Sequence, residues 1–218
     1  MNSDENLDER WPQDGDRLFV EVASSTDAHI VRDPGERFYR LPTGYKRAAD
    51  LLIDQAAGDV VDRRNIVYAA LFCYRQSIEL FLKRLIEEFG GGQAHSPKYT
   101  HDLSLLWDRF TYIVNQRGGE EWLGLEAARS LVAEMHEADH KSDGFRFAMD
   151  RNEMPFEFGD KGIDLANLRE VMMGLANFFE CAYSEFSHQD DMASDAYLAE
   201  HTQASDRAQP WGCRRAAR

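Results

Sequence analysis

Residues 64–89 read RNIVYAALFCYRQSIELFLKRLIEEF, and this stretch decides the fold. Its apolar residues recur in alternating steps of four and three, at Val67, Leu71, Tyr74, Ile78, Phe81 and Leu85. That spacing places them on one face of an α-helix. A helix of this length spans about 35–40 Å, which is enough to cross a small domain. The sequence therefore predicts one central helix along which the other elements pack.

Further helical patterns flank this central stretch. One begins near Thr43 or Gly44 and ends near Gly58, two follow at about 100–117 and 120–139, and a last one runs from Asp164 to about Ser187. We therefore expect an all-α, up-and-down bundle of four to five helices over residues 43–187. We expect residues 1–42 to form a polar, irregular and partly disordered arm. We expect residues 188–218 to form a polar, mostly disordered tail.

The composition limits the classes of partner. The formal net charge is −14, so the chain repels nucleic-acid phosphates at long range and broad coating of RNA or DNA is not expected. A local basic cleft is still compatible with this charge. No apolar run is long enough to cross a membrane, and no signal peptide is visible.

The cysteines match no metal or redox spacing. There are three, Cys73, Cys181 and Cys213, and the first two fall in apolar helical patterns, which predicts small core residues. This usage predicts a reducing, cytoplasmic location. The sequence has no phosphate-binding glycine loop and no dinucleotide-fold pattern, so we expect no cofactor.

Arg75, Glu79 and Lys83 form a ladder of opposite charges at steps of four on the central helix. Such pairs stabilise a helix by about 0.2–0.5 kcal/mol each. The first interpretation is a solvated helix face. The second is that Glu79 and Lys83 line a cleft and contact a ligand.

Residues 136–140 read HEADH and fit the H-E-x-x-H pattern of zinc enzymes. Charged flanking residues and a nearby glycine weaken this match. Glu157 and Asp160 are the downstream candidates for a third ligand. The alternative, which we favour, is two surface histidines near a helix C-terminus and no metal site.

Arg129 and His136 are separated by nearly two helical turns, so both face one side of a helix about 10 Å apart. An arginine can hold a phosphate and a histidine can move a proton at neutral pH. Together they are candidate catalytic residues for attack of an RNA 2′-hydroxyl on the adjacent phosphate. An exposed arginine beside an unrelated histidine would show the same spacing.

Arg146 lies between Phe145 and Phe147 in a segment that looks extended. We expect the two rings to anchor the loop and fix the arginine. Its role is then either a contact to an anion or nucleotide, or a structural ion pair. The candidate acidic partners are Glu79, Asp139 and Asp143.

Three of these stretches together resemble the HEPN domain family (higher eukaryotes and prokaryotes nucleotide-binding). Residues 74–83 (YRQSIELFLK) resemble the family's helix with its Gln…Glu…Lys pattern, and residues 101–103 (HDL) its His-Asp-Leu helix start. Residues 143–147 (DGFRF) resemble the Arg-Tyr-Pro loop before its last helix, although Phe147-Ala148 replaces Tyr-Pro. The likeness covers about residues 44–186. It makes Glu79, Lys83, His101 and Arg146 candidate ligand-binding residues.

The resemblance implies a helical bundle, usually a homodimer, in toxin–antitoxin, phage-defence or RNA-processing systems. Catalytic members are metal-independent ribonucleases with an Arg-x(4–6)-His motif, which Arg129 and His136 satisfy; here Ser130 follows the arginine where the family usually has Asn, Asp or His. Members with the Arg-Tyr-type loop often lack that pair and bind nucleotides or protein partners, such as an antitoxin. Two functions follow as expectations: a noncatalytic nucleotide- or partner-binding module, and alternatively an endoribonuclease using Arg129 and His136.

Overall fold

The computed structural model describes residues 11–19, 28, 30–91, 100–150, 152–156 and 162–207. These residues form five α-helices and no strand beyond an isolated antiparallel bridge between Met149 and Pro155. The helices are α1 (Pro34–Ala56), α2 (Val60–Phe89), α3 (Leu103–Gln116), α4 (Leu125–Ala138) and α5 (Leu165–Arg207). The prediction of an all-α bundle of four to five helices is therefore confirmed.

The chain divides into two units, Met1–Arg32 and Asp33–Arg218. In the described part of the first unit, Gln13 and Asp16 close a turn, in which Asp16 N donates to Gln13 O at 3.0 Å. The Asp16 carboxylate accepts from Gln13 N at 2.9 Å. All five helices belong to the second unit.

Helix α2 is the centre of the second unit, as its apolar pattern predicts. It packs against α1, α3 and α5, while α4 packs against α3 and α5. Tyr74, Leu82 and Leu85 on α2 are almost completely buried, and so are Phe110 on α3 and Phe186 on α5. No helix in the described ranges has an apolar stretch that could span a lipid bilayer.

Helix α1 begins at Pro34, so the predicted start near Thr43 and the predicted arm of residues 1–42 are wrong at this boundary. Asp33 is the N-cap, and its carboxylate accepts from Glu36 N at 2.8 Å. Pro34 lacks a backbone N–H, but the helix loses no hydrogen bond by this. At the first helical position the N–H of any residue has no carbonyl acceptor within the helix. Pro42 lies inside the helix, and its carbonyl accepts from Ser77 Oγ at 2.9 Å.

Helix α5 continues to Arg207, well beyond the predicted end near Ser187. No described side chain after Phe186 is buried, so the apolar pattern stops where the prediction placed the end. Arg117 holds the first turn beyond that point through an ion pair with Asp190 at 2.8 Å. The predicted tail is thus helical over its first part. Residues 208–218 of the tail and residues 1–10 of the predicted arm lie outside the described residues.

The α3–α4 region differs from the prediction at its helix ends. Helix α3 starts at Leu103 and not near residue 100; its N-cap is Asp102, whose carboxylate accepts from Leu105 N at 3.0 Å. Helix α4 starts at Leu125 and not near Glu120, because residues 117–124 form a glycine-containing turn.

The cysteine prediction holds only in part. Cys73 is half-buried, but Cys181 is exposed and is not a core residue. Its position on α5 lies between apolar residues that do face the core, Phe179 and Ala182, so the local pattern did not distinguish the two sides. Cys213 lies outside the described residues.

We expect Gly119→Ala to destabilise the bundle by about 1–3 kcal/mol, since the added methyl has to be forced into a packed site. A Cβ at this position would lie 2.7 Å from the Trp122 ring and 2.9 Å from a Val114 methyl. The matched control is Gly174→Ala on the exposed side of α5, where a Cβ meets nothing within 4 Å. That change should stabilise the helix by about 0.5–1 kcal/mol. Urea unfolding measures both, and equal effects of the two substitutions would contradict the packing argument.

Candidate functional site

The charge ladder on α2 is buried, so its interpretation as a solvated face is wrong. Arg75 and Glu79 are 0% and 1% exposed. Arg75 Nη1 donates to Glu79 Oε2 at 2.9 Å, and Lys83 Nζ donates to Glu79 Oε1 at 2.6 Å. A buried charge is tolerated only when it is paired and hydrogen-bonded. Glu79 meets this condition, because each of its carboxylate oxygens accepts a hydrogen bond from a cationic side chain.

Arg75 also connects α2 to two distant segments. Its Nη2 donates to the His101 carbonyl at 2.6 Å, just before α3. Its Nε donates to the Asp139 carbonyl at 3.0 Å, at the C-cap of α4, and lies 3.4 Å from the Asp139 carboxylate. One side chain of α2 therefore fixes the start of α3 and the end of α4.

Glu79 remains ionised in this cluster. Burial raises the pKa of its carboxyl, but the hydrogen bonds and charges of Lys83 and Arg75, with the charge of His101, outweigh burial and leave the pKa lowered. His101 Nδ1 lies 2.9 Å from Glu79 Oε1. The predicted ligand-binding residues Glu79, Lys83 and His101 thus come together, but Glu79 and Lys83 are used in internal contacts and only the His101 ring is exposed.

Arg146 is separate from that cluster. The segment around it is a turn and not extended, because Arg146 N and Phe147 N both donate to the Asp143 carbonyl. Phe145 is buried as predicted, whereas Phe147 is exposed, so only one ring anchors the loop. Arg146 Nε donates to the Ser142 carbonyl at 2.5 Å, and its guanidinium lies 5.2 Å from the Phe147 ring. Within the described ranges it makes no ion pair; Arg75 is the residue that contacts Glu79 and Asp139.

The loop that carries Arg146 is organised by Asp139. The Asp139 carboxylate accepts from the backbone N–H groups of Asp143 and Gly144, both at 3.0 Å. Ser142 takes a positive φ of 62° within this turn. The same acidic residue therefore ends α4, shapes the following loop and faces Arg75.

Arg129 and His136 both lie on α4, but they face different partners. Arg129 is 54% exposed and its Nε lies 3.4 Å from the Glu126 carboxylate on the same helix. His136 is 17% exposed, and its Nδ1 lies 3.8 Å from the Asp102 carboxylate of α3. That nitrogen is buried and has no hydrogen-bond partner among the described residues.

The HEADH segment does not lie on a single helix. Helix α4 ends at Ala138, before His140, and Glu137 is exposed. The rings of His136 and His140 lie 4.6 Å apart, but the described residues contain no group of three or more side chains arranged to hold a metal. The proposed third ligands, Glu157 and Asp160, lie outside the described residues.

A large groove in the described part of the second unit was not predicted from the sequence. This groove of about 1430 Å³ is lined by α1, the first turns of α2 and the start of α5. Its polar walls include Lys46, Asp54, Arg63, Arg64 and Arg169, and Tyr68 lines it beside them. The Arg63-Arg64 pair after Asp62 was visible in the sequence, but nothing there predicted that a cavity would open beside it.

Half of the charged residues that line the groove form ion pairs with one another. Lys46 and the Tyr74 hydroxyl both donate to the Asp50 carboxylate at 2.8 Å. Arg169 donates to Asp54 at 2.5 Å. Burial, and then the hydrogen bond to Asp50, raise the pKa of Tyr74 far above its usual range, so it stays a hydrogen-bond donor.

We expect Arg75→Ala to destabilise the fold by about 3–5 kcal/mol, because it removes the buried counter-charge of Asp139 and leaves Glu79 with Lys83 as its remaining lysine or arginine partner. The matched control is Arg40→Ala, which removes an arginine from an exposed pair with Glu36 at the same spacing. That change should cost less than about 1 kcal/mol. Urea denaturation compares the two variants, and similar losses would show that burial of the Arg75 pair is unimportant.

The lowered pKa of Glu79 also predicts a pH dependence. A carboxyl whose pKa is lowered by folding contributes stability above its unfolded pKa, and this contribution is lost as the pH falls through the folded pKa. Between pH 7 and pH 3, the free energy of unfolding of the wild type should therefore fall more steeply than that of Glu79→Gln. The difference between the two slopes should appear below the ordinary glutamate pKa of 4.5. Denaturant midpoints across this range measure the difference; parallel curves would contradict the assignment.

No family model matches this chain, and no curated protein and no solved structure is significantly similar to it. The HEPN resemblance of residues 44–186 therefore remains a prediction from the sequence motifs.

Proposed function

We propose that this protein is a noncatalytic HEPN-like module that binds a nucleotide or a protein partner, as a homodimer in a bacterial defence or toxin–antitoxin type system. The observation that carries the noncatalytic part is that the two candidate catalytic residues lie against different carboxylates. Arg129 pairs with Glu126 on its own helix, while His136 faces Asp102 on α3. A phosphate held by Arg129 would not meet the histidine nitrogen that faces Asp102.

The charge around α4 supports the same proposal. Glu126, Glu134 and Glu137 are all exposed on this helix, as is Arg129. Three exposed carboxylates on the same helix as this one exposed arginine disfavour an RNA backbone, which carries a negative charge on every nucleotide. A protein with a net charge of −14 would need a locally positive surface at a ribonuclease site.

A metal-independent endoribonuclease remains the second candidate, and one observation favours it. Arg129 and His136 both lie on α4, at a spacing that places them about 10 Å apart on one side. In that function Arg129 would hold the scissile phosphate, and His136 would act as acid and base for the 2′-hydroxyl and the leaving oxygen. A second protomer would have to complete the cleft.

The deciding experiment offers RNA substrates to the full chain in EDTA, beside an Arg129→Ala/His136→Ala variant. The proposed function predicts no cleavage by either protein, and binding of a nucleotide or a protein partner by both. Cleavage by the wild type that the double variant loses would overturn the noncatalytic assignment. An Arg47→Ala variant, which removes an exposed charge from α1, is the control for nonspecific loss of RNA contact.

A further inference from the structure

We propose that the groove between α1, α2 and the start of α5 is a nucleotide-binding site, in which Arg63 and Arg64 bind the phosphates and Tyr68 stacks on the base. This inference rests on the nucleotide-binding part of the proposed function and adds the site and the ligand chemistry. None of its three residues belongs to the motifs that suggested the HEPN family.

The groove brings side chains of both charges together. Asp50 is paired with Lys46, and Asp54 with Arg169. Asp164 caps α5, where its carboxylate accepts from the backbone N–H groups of Ala166 and Asn167. These carboxylates are therefore already satisfied by groups of the chain itself.

Arg63 and Arg64 are the cations that remain. Both line the groove, are exposed, and make no ion pair within the described part of the chain. Among the described lining residues the carboxylate that remains is that of Glu170, so two guanidinium groups share the wall with one carboxylate that has no ion pair in the described ranges. Guanidinium groups bind phosphate oxygens through paired hydrogen bonds, and two adjacent ones suit a di- or triphosphate.

The groove that these arginines line also has an aromatic and apolar surface. Tyr68 lies four residues after Arg64, hence on the same side of α2, and is 57% exposed. Ile53, Leu71 and Met173 supply apolar lining around it. An exposed ring beside apolar side chains is a surface on which a base can stack, whereas free phosphate would use only the arginines.

Size and charge favour a short ligand over a nucleic acid strand. The groove volume of about 1430 Å³ accommodates a nucleoside triphosphate with its bound water. A long RNA would extend beyond the two arginines onto the surface of a chain with a net charge of −14. A mononucleotide places its charge only where the two arginines are.

The test measures binding of ATP, adenosine and inorganic tripolyphosphate to the full chain by calorimetry. Arg63→Ala/Arg64→Ala should weaken ATP and tripolyphosphate binding by at least about tenfold, because charge-assisted hydrogen bonds are lost. Tyr68→Ala should weaken ATP and adenosine binding by about tenfold and leave tripolyphosphate unchanged. The matched control, Arg37→Ala/Arg47→Ala, removes two exposed arginines of α1 that do not line the groove and should change ATP affinity less than twofold.

The outcomes separate this inference from the proposed function. If the wild type binds ATP and Arg63→Ala/Arg64→Ala binds it equally well, the groove is not the site, while nucleotide binding stands. If no probe binds the wild type at millimolar concentration, the groove and the nucleotide-binding part of the proposed function both fall. Tighter binding of a single-stranded RNA oligomer than of ATP would overturn the short-ligand assignment. Thermal unfolding by circular dichroism checks that each variant is folded.

Discussion

The bundle depends on one buried guanidinium. Arg75 donates to Glu79 on its own helix, to the carbonyl before α3 and to the carbonyl that ends α4. Because an unpaired charge in the interior is strongly unfavourable, Arg75 is stable there only when all of these segments are packed around it. The apolar core supplies most of the driving force for folding, and the Arg75 cluster adds a constraint on where the helix ends lie.

The middle part of α2 and its first turns have polar groups with different roles. Its middle part holds the Arg75–Glu79–Lys83 cluster, in which polar atoms are used to satisfy one another. Its first turns carry Arg63, Arg64 and Tyr68, which face a groove and keep their polar and aromatic groups available. The residues that look most like a binding motif in the sequence therefore have structural contacts, and the accessible groups lie where no motif was recognised.

Periodicity of apolar residues was sufficient to predict the helices and most of the core. It could not place the start of α1, because Pro34 and Gly35 look like helix breakers until Asp33 is known to cap them. It could not tell a buried charge ladder from a solvated one, because both have the same spacing. The contacts that bury Arg75 come from residues 26 and 64 positions away in the chain, and local patterns carry no information at that separation. The groove was missed for the same reason, since its walls come from three separate helices.

Helix α5 has two stretches with different neighbours along a single continuous backbone. Up to Phe186 one face of the helix packs into the core, whereas beyond it none of the described side chains is buried. The amide hydrogens of the first stretch can exchange with solvent only when the bundle opens, but those of the second are held by local helix formation, which is marginal in water for a segment of this length. Hydrogen exchange should therefore change abruptly within one helix, and the far stretch can unwind or be refolded against another molecule without disturbing the core.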